Sequence, residues 1–260
     1  MPAKSPVSFF LRGDISGHHR ARNFISAFVA RGHEVQIFHL GPPFPLDGVD
    51  QITLPNDTFA WRPGLKNLLA RVRFIVAGLG WLGGYSGPLY TLPIRRAIGK
   101  SRICEAKSPV AFVSDIFYLP AVLHSKAFSL VILDAREYYP EQMGSSLAFK
   151  WLRRPEVVRL CRRYLSSCDV VLTVSDGIAE LYDREFGVSP LVVRSALSAR
   201  GREPDRARRA PRKALRLVYI GVANRNRGLH GLLESLVESE TEHTFYLILR
   251  GLPRDIEHLQ

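Results

Sequence analysis

Apolar residues recur along the chain in two patterns, short β-branched or aromatic runs and longer stripes at helical spacing. Val170 to Val174 is a run of the kind shown by strands buried in a parallel sheet. Ser175 or Asp176 then stands where a helix N-cap belongs, with a short oxygen side chain to accept a backbone N–H. Ile178, Leu181 and Tyr182 form a helical stripe, Gly187 closes it, and Leu191 to Arg194 reads as the next strand. The same alternation occurs upstream. Pro6 to Leu11 predicts a first strand, Phe24, Ile25, Phe28 and Val29 one face of a helix ending at Gly32, and Glu34 to Leu40 a second strand. Val49 to Leu54, Pro109 to Ser114 and Leu130 to Leu133 are further strands, with a short helix between the last two. Strand, glycine-containing turn, helix, glycine, strand is the opening of a doubly wound, mostly parallel, Rossmann-like α/β sheet.

Two helices are basic. Trp61 to Ala77 is amphipathic, with Arg62, Lys66, Arg71 and Arg73 mostly between its apolar positions, and Leu147 to Ser167 carries Arg153, Arg154, Arg159, Arg162 and Arg163. Residues 198–213 hold seven basic side chains against Glu203 and Asp205, the composition of a solvated linker. A fresh strand follows at Leu215 to Ile220, then a helix marked by Leu229, Leu232, Leu233 and Leu236, then a strand at Phe245 to Leu249. The expected division is a first domain over 1–197, a basic linker over 198–213 and the beginning of a second Rossmann-like domain over 214–260.

Composition narrows the function classes. With 260 residues, 46% hydrophobic and 23% charged, the chain has room for a real core. The three cysteines, Cys104, Cys161 and Cys168, form no C-x-x-C pair, so neither a zinc site nor a disulfide framework is expected. No window at the N-terminus reads as a secretory signal, and a cytoplasmic location is the expectation. The net charge of +12 favours anionic partners. Specific nucleic-acid binding is disfavoured, because no recognition helix, zinc spacing or aromatic–basic RNA motif is present. Phe74 to Ile94 is uncharged over 21 residues, but its five glycines and two prolines argue against a spanning helix. An interfacial hairpin and a core helix with a glycine-rich loop both remain open for it. The basic helices 61–77 and 147–167 are candidate contacts with an anionic membrane at its inner face.

Candidate chemistry gathers where strands end, because doubly wound sheets bind ligands at their carboxyl edge. Gly13, Gly17 and His18 lie in the loop after the first strand, where glycines let backbone approach a ligand. The loop is not G-x-G-x-x-G, and Gly99-Lys100-Ser101 lacks the earlier glycine of a phosphate-binding loop, since position 94 is Ile. Asp115 and Asp134 end the next two strands. Asp134-Ala135-Arg136-Glu137-Tyr138-Tyr139-Pro140-Glu141 puts an arginine, carboxylates and aromatics on one loop, able to hold a phosphate or sugar and to deprotonate a hydroxyl.

Taken in order, four segments resemble the GT-B glycosyltransferases of family 4. Gly32-His33-Glu34-Val35 is similar to the G-H-E-V after their first helix, and the Asp134–Glu141 loop to their D-A-H-E-x-x-P-E. Asp169 to Arg194 resembles their V-S-containing segment and its closing v-V-R-N, and Tyr219-Ile220-Gly221 with Arg227-Gly228-Leu229 the opening of their donor domain. The resemblance implies two Rossmann-like domains, a nucleotide-sugar donor as substrate, a glycan or lipid-linked acceptor hydroxyl, and no metal or cofactor. It implies acceptor-side roles for Gly13, Gly17, His18, Asp115 and Ser175, catalytic roles for Arg136 and Glu137, and donor contacts from Gly221, Asn224, Arg227 and Gly228. Departures are visible. Arg136 replaces the family's histidine and cannot act as a base, so that role moves to Glu137 or elsewhere. Val222 stands where the family often has arginine, and Ser195 where it has asparagine. The family's paired glutamates fall beyond Gln260, so the expectation is a donor domain only begun here, or a glycosyltransferase-like subunit without catalysis of its own.

Overall fold

The computed structural model describes residues 5–11, 15–39, 42–54, 105–142, 150–151, 154–196, 214–223 and 227–250. The expected helix over 61–77, the uncharged stretch 74–94, the linker 198–213, Gly13 and Asn224 lie outside them. The chain forms two compact units, Met1–Ala196 and Leu197–Gln260.

In the first unit the short apolar runs are strands: β1 (Val7–Phe10), β2 (Val35–His39), β3 (Val49–Thr53), β4 (Val110–Val113), β5 (Leu130–Asp134), β6 (Val170–Thr173) and β7 (Leu191–Val192). They form one seven-stranded sheet in the order β3-β2-β1-β4-β5-β6-β7. All its pairings are parallel, with Val7 of β1 opposite both Val35 of β2 and Val110 of β4. Successive strand residues point to opposite faces, and both faces are buried, as continuous apolar runs require. Phe9, Ile37 and Phe112 face a cluster with Ala21 and Ile25 of α1 (His19–Ala30). Phe10, Phe38, Val113 and Leu133 face the opposite cluster. It contains Val122 of α2 (Leu119–Ser125), Val157 and Cys161 of α3 (Arg154–Tyr164), and Tyr182 of α4 (Asp176–Phe186). Ring stacking knits the central strands, Phe10 on Phe38 at 4.8 Å and Phe9 on Phe112 at 4.7 Å between centroids.

Helices on both faces and a strand order that reverses beside β1 make this a doubly wound sheet. Its crevice is expected outside the carboxyl ends of β1 and β4. β7 is shorter than the sequence suggests. As an edge strand it keeps two paired residues, and Arg194 instead ion-pairs with Asp176 at 2.7 Å on the surface. Of the helix expected over 147–167, residues 147–149 and 152–153 lie outside the described residues; the described part contains α3 over Arg154–Tyr164, followed by a 3-10 turn, Leu165–Ser167.

The second unit contains β8 (Leu215–Val222), α5 (Leu229–Val237) and β9 (His243–Arg250). β8 and β9 pair in parallel, Val218 opposite Tyr246 and Ile220 opposite Ile248. These four residues lie on one face of the pair and are exposed, Ile220 to 73%.

Candidate functional site

The edge of the first unit is built by loops that follow strands. After β1, a 3-10 turn, Ile15–Gly17, anchors through buried Ile15, and His18 takes the N-cap position of α1 without a side-chain capping bond. After β4, Asp115 caps a second 3-10 turn, Ile116–Tyr118, by accepting from the Phe117 backbone N–H at 3.0 Å. After β5 comes the arginine–glutamate loop. After β6, Ser175 caps α4, its Oγ accepting from the Ile178 N–H at 3.4 Å.

Two of the residues selected by sequence meet here. An Arg136 Nη1 lies 3.2 Å from His18 Nδ1. A guanidinium has no acceptor, so Nδ1 takes the hydrogen bond and the proton of the neutral ring sits on Nε2. Arg136 and His18 are half-buried and Glu137 is exposed. Glu137 and Glu141 are the exposed carboxylates of the loop, and Glu137 is the one next to Arg136. Asp134, at the strand end itself, is 2% exposed and gripped by Arg20.

That Arg20–Asp134 pair is what sequence reasoning missed. Arg20 Nε donates to both carboxylate oxygens at 3.0 and 2.9 Å, and Nη2 to Oδ1 at 2.8 Å. Nη1 donates to the Val193 carbonyl at 2.5 Å and to Ser195 Oγ at 3.3 Å. An arginine in the first turn of a helix carries no sequence signal that its partner lies at 134. A second missed feature is Tyr182, read from sequence as part of an apolar stripe. Its hydroxyl donates to the Glu137 carbonyl at 2.7 Å and accepts from the Tyr139 N–H at 3.2 Å, holding the loop from beneath. Tyr139 accepts in turn from the Ile116 N–H at 3.2 Å. Burial first, then the charge of Asp115, pushes the Tyr139 phenol well above its ordinary value, and burial likewise raises Tyr182. Both hydroxyls therefore stay protonated and serve as fixed hydrogen-bonding posts.

Other selected residues have local explanations. A Cβ at Gly17 would meet nothing within 4 Å, so packing does not demand glycine there. Gly221 is different: a Cβ would lie 2.7 Å from the Tyr219 hydroxyl, because the Tyr219 ring folds over it and donates to the Val222 carbonyl. Gly228 takes a left-handed N-cap conformation at the start of α5 (φ 66°), with Arg227 exposed beside it. Gly221, Arg227 and Gly228 belong to the second unit, and Gly17, His18, Asp115, Arg136, Glu137 and Ser175 to the first. Among the described residues no three His, Cys, Asp or Glu side chains converge as metal ligands, and no helix is long and apolar enough to cross a membrane.

No protein-family profile matches the chain, and no curated protein sequence does either. Solved structures do. Arabidopsis thaliana UGT89C1 complexed with UDP-L-rhamnose is similar over 98% of this chain and 72% of that one, with a TM-score of 0.50 and 10% identity. Glycyrrhiza uralensis UGT73P12 complexed with glycyrrhetinic acid 3-O-monoglucuronide matches over 99% and 66%, with a TM-score of 0.49 and 11% identity. These neighbours are GT-B glycosyltransferases, and at such identities the likeness is one of fold. The fold is α/β of that type, with a seven-stranded parallel sheet.

Proposed function

We propose that this chain belongs to a nucleotide-sugar-dependent glycosyltransferase of the family 4 kind. It would transfer a sugar to a hydroxyl of a polysaccharide or lipid-linked glycan at the cytoplasmic face of a membrane. The observation that carries the reading is the meeting of Arg136 and His18 at the carboxyl edge of the sheet, beside the exposed Glu137 carboxylate. The motif resemblance of the loop and the GT-B likeness of the fold support it.

In this reading Glu137 accepts the acceptor hydroxyl's proton, and the freed oxygen forms the new bond to the anomeric carbon. The bond from that carbon to the diphosphate breaks, and its electron pair leaves on the diphosphate oxygen. Arg136 and His18 hold the acceptor through N–H donors. Arg227 and the start of α5 supply charge and backbone N–H groups suited to the departing diphosphate. No metal enters these roles. The basic face of α3 meets anionic lipid where the acceptor resides.

The test is to titrate the full chain with UDP, GDP, TDP and ADP and follow the melting temperature. A ligand at about 100 times its Kd stabilises by about 2.7 kcal/mol, and Arg227→Ala should abolish most of that shift. No shift with any nucleotide sinks a working donor site. One observation favours a second reading, a glycosyltransferase-like subunit without catalysis of its own. The bare face carrying Val218, Ile220, Tyr246 and Ile248 needs a cover. Nucleotide silence together with a stable complex to a second protein would select that reading.

A further inference from the structure

Arg20 sits 9% exposed in the first turn of α1, and its guanidinium reaches two places far away in sequence. It grips Asp134 at the end of β5 with three hydrogen bonds, and it holds the Val193 carbonyl and Ser195 Oγ beyond the end of β7. His18 is two residues before Arg20, and Arg136 two residues after Asp134. The buried grip therefore sets the spacing of the two backbones from which the His18–Arg136 contact is made. On the far side the Arg136 loop is fixed independently. The Ala135 N–H donates to the Leu172 carbonyl at 2.8 Å, Thr173 Oγ1 to the Ala135 carbonyl at 2.9 Å, and Tyr182 braces Glu137 and Tyr139. On the α1 side, the Ile15–Gly17 turn and the core face of α1 hold the backbone, and Arg20 is the side chain that ties this end of the helix to the end of β5.

We infer that Arg20 is a positioning residue: by clamping the start of α1 to the end of β5 it holds His18 Nδ1 against Arg136 and so fixes the imidazole as the Nε2–H tautomer. What the pair then does rests on the glycosyl-transfer reading, but the clamp does not. A lysine at position 20 keeps the charge but offers a single ammonium where five directed N–H groups stood. It cannot grip Asp134 in two prongs and hold Val193 and Ser195 as well.

The experiment is nitrogen NMR of the histidine rings in the full chain, about two pH units above the ordinary histidine value of about 6.5, where the ring is neutral. His18→Gln assigns the His18 signals. In the wild type His18 should show Nε2 protonated and Nδ1 unprotonated, and Arg20→Lys should give a mixture of both tautomers. Leu160→Ala, which opens a cavity around α3 and lowers the melting temperature without touching the clamp, should leave the ring unchanged. Asp134→Asn keeps the shape and one acceptor oxygen, and it carries the test if Arg20→Lys does not fold. It should show a smaller share of the second tautomer. A wild-type proton on Nδ1 overturns the inference before any variant is made. An unchanged ring in Arg20→Lys or Asp134→Asn overturns it too, as does an equal change in Leu160→Ala. Since no nucleotide is added, an Nε2–H ring in a protein that ignores every nucleotide would keep this inference and discard the glycosyl-transfer reading.

Discussion

Single residues at the carboxyl edge divide into those that face outward and those that hold them there. Glu137 and Arg136 belong to the first kind, and Asp134, Arg20, Thr173 and Tyr182 to the second. Tyr182 gives the cleanest measurement, because its hydroxyl joins two backbone groups and its ring is fully buried. Tyr182→Phe keeps the ring packed against Tyr138 and Phe186 but leaves the Glu137 carbonyl and Tyr139 N–H without that partner. The expected cost is about 1–3 kcal/mol, read as a lower urea midpoint with an unchanged m-value. An unaltered midpoint would mean that water replaces the hydroxyl and that the loop is less enclosed than it looks.

Elements show how much of the chain follows from its nearest neighbours. The α4 helix begins and ends as its sequence reads, Ser175 accepting from Ile178 and Gly187 at φ 64° where a Cβ would be strained. Both features depend on residues within three or four positions. The α3 helix shows another separation: Val157, Leu160 and Cys161 are buried, while Arg162 and Arg163 are exposed in its last turn. If that face meets an anionic membrane, the protein should sediment with phosphatidylserine vesicles and be released by salt. Each basic residue near such a surface contributes about 1 kcal/mol. Reversing both, Arg162→Glu with Arg163→Glu, should weaken binding at least about tenfold, and equal sedimentation of the variant would remove α3 from the membrane contact.

At the scale of the whole molecule, burial of ionisable groups sets a limit on alkaline stability. Burial pushes the Cys161 and Cys168 thiols up to about 12 from an ordinary 9.0, and Tyr139 and Tyr182 move the same way. The folded protein thus keeps protons that the unfolded chain releases. These groups favour folding equally at every pH below about 9, and stability should fall as pH rises from 9 toward 12. Urea midpoints at pH 8 and pH 10.5 test this, and an unchanged midpoint would show that the thiols are not enclosed.

What the sequence determined by itself was local or periodic: buried parallel strands from β-branched runs, caps and stops from Ser175 and Gly187, a doubly wound α/β class from alternating patterns, and a loop at a strand end carrying Arg136 and Glu137. Tertiary structure decided the rest. The strand order put β1 between β2 and β4, and so brought the loop after β1 near the loop after β5. It paired Arg20 with Asp134 across 114 positions and set His18 against Arg136 across 118. Periodicity states which face of an element is buried, but it carries no information about which distant element that face or edge will meet.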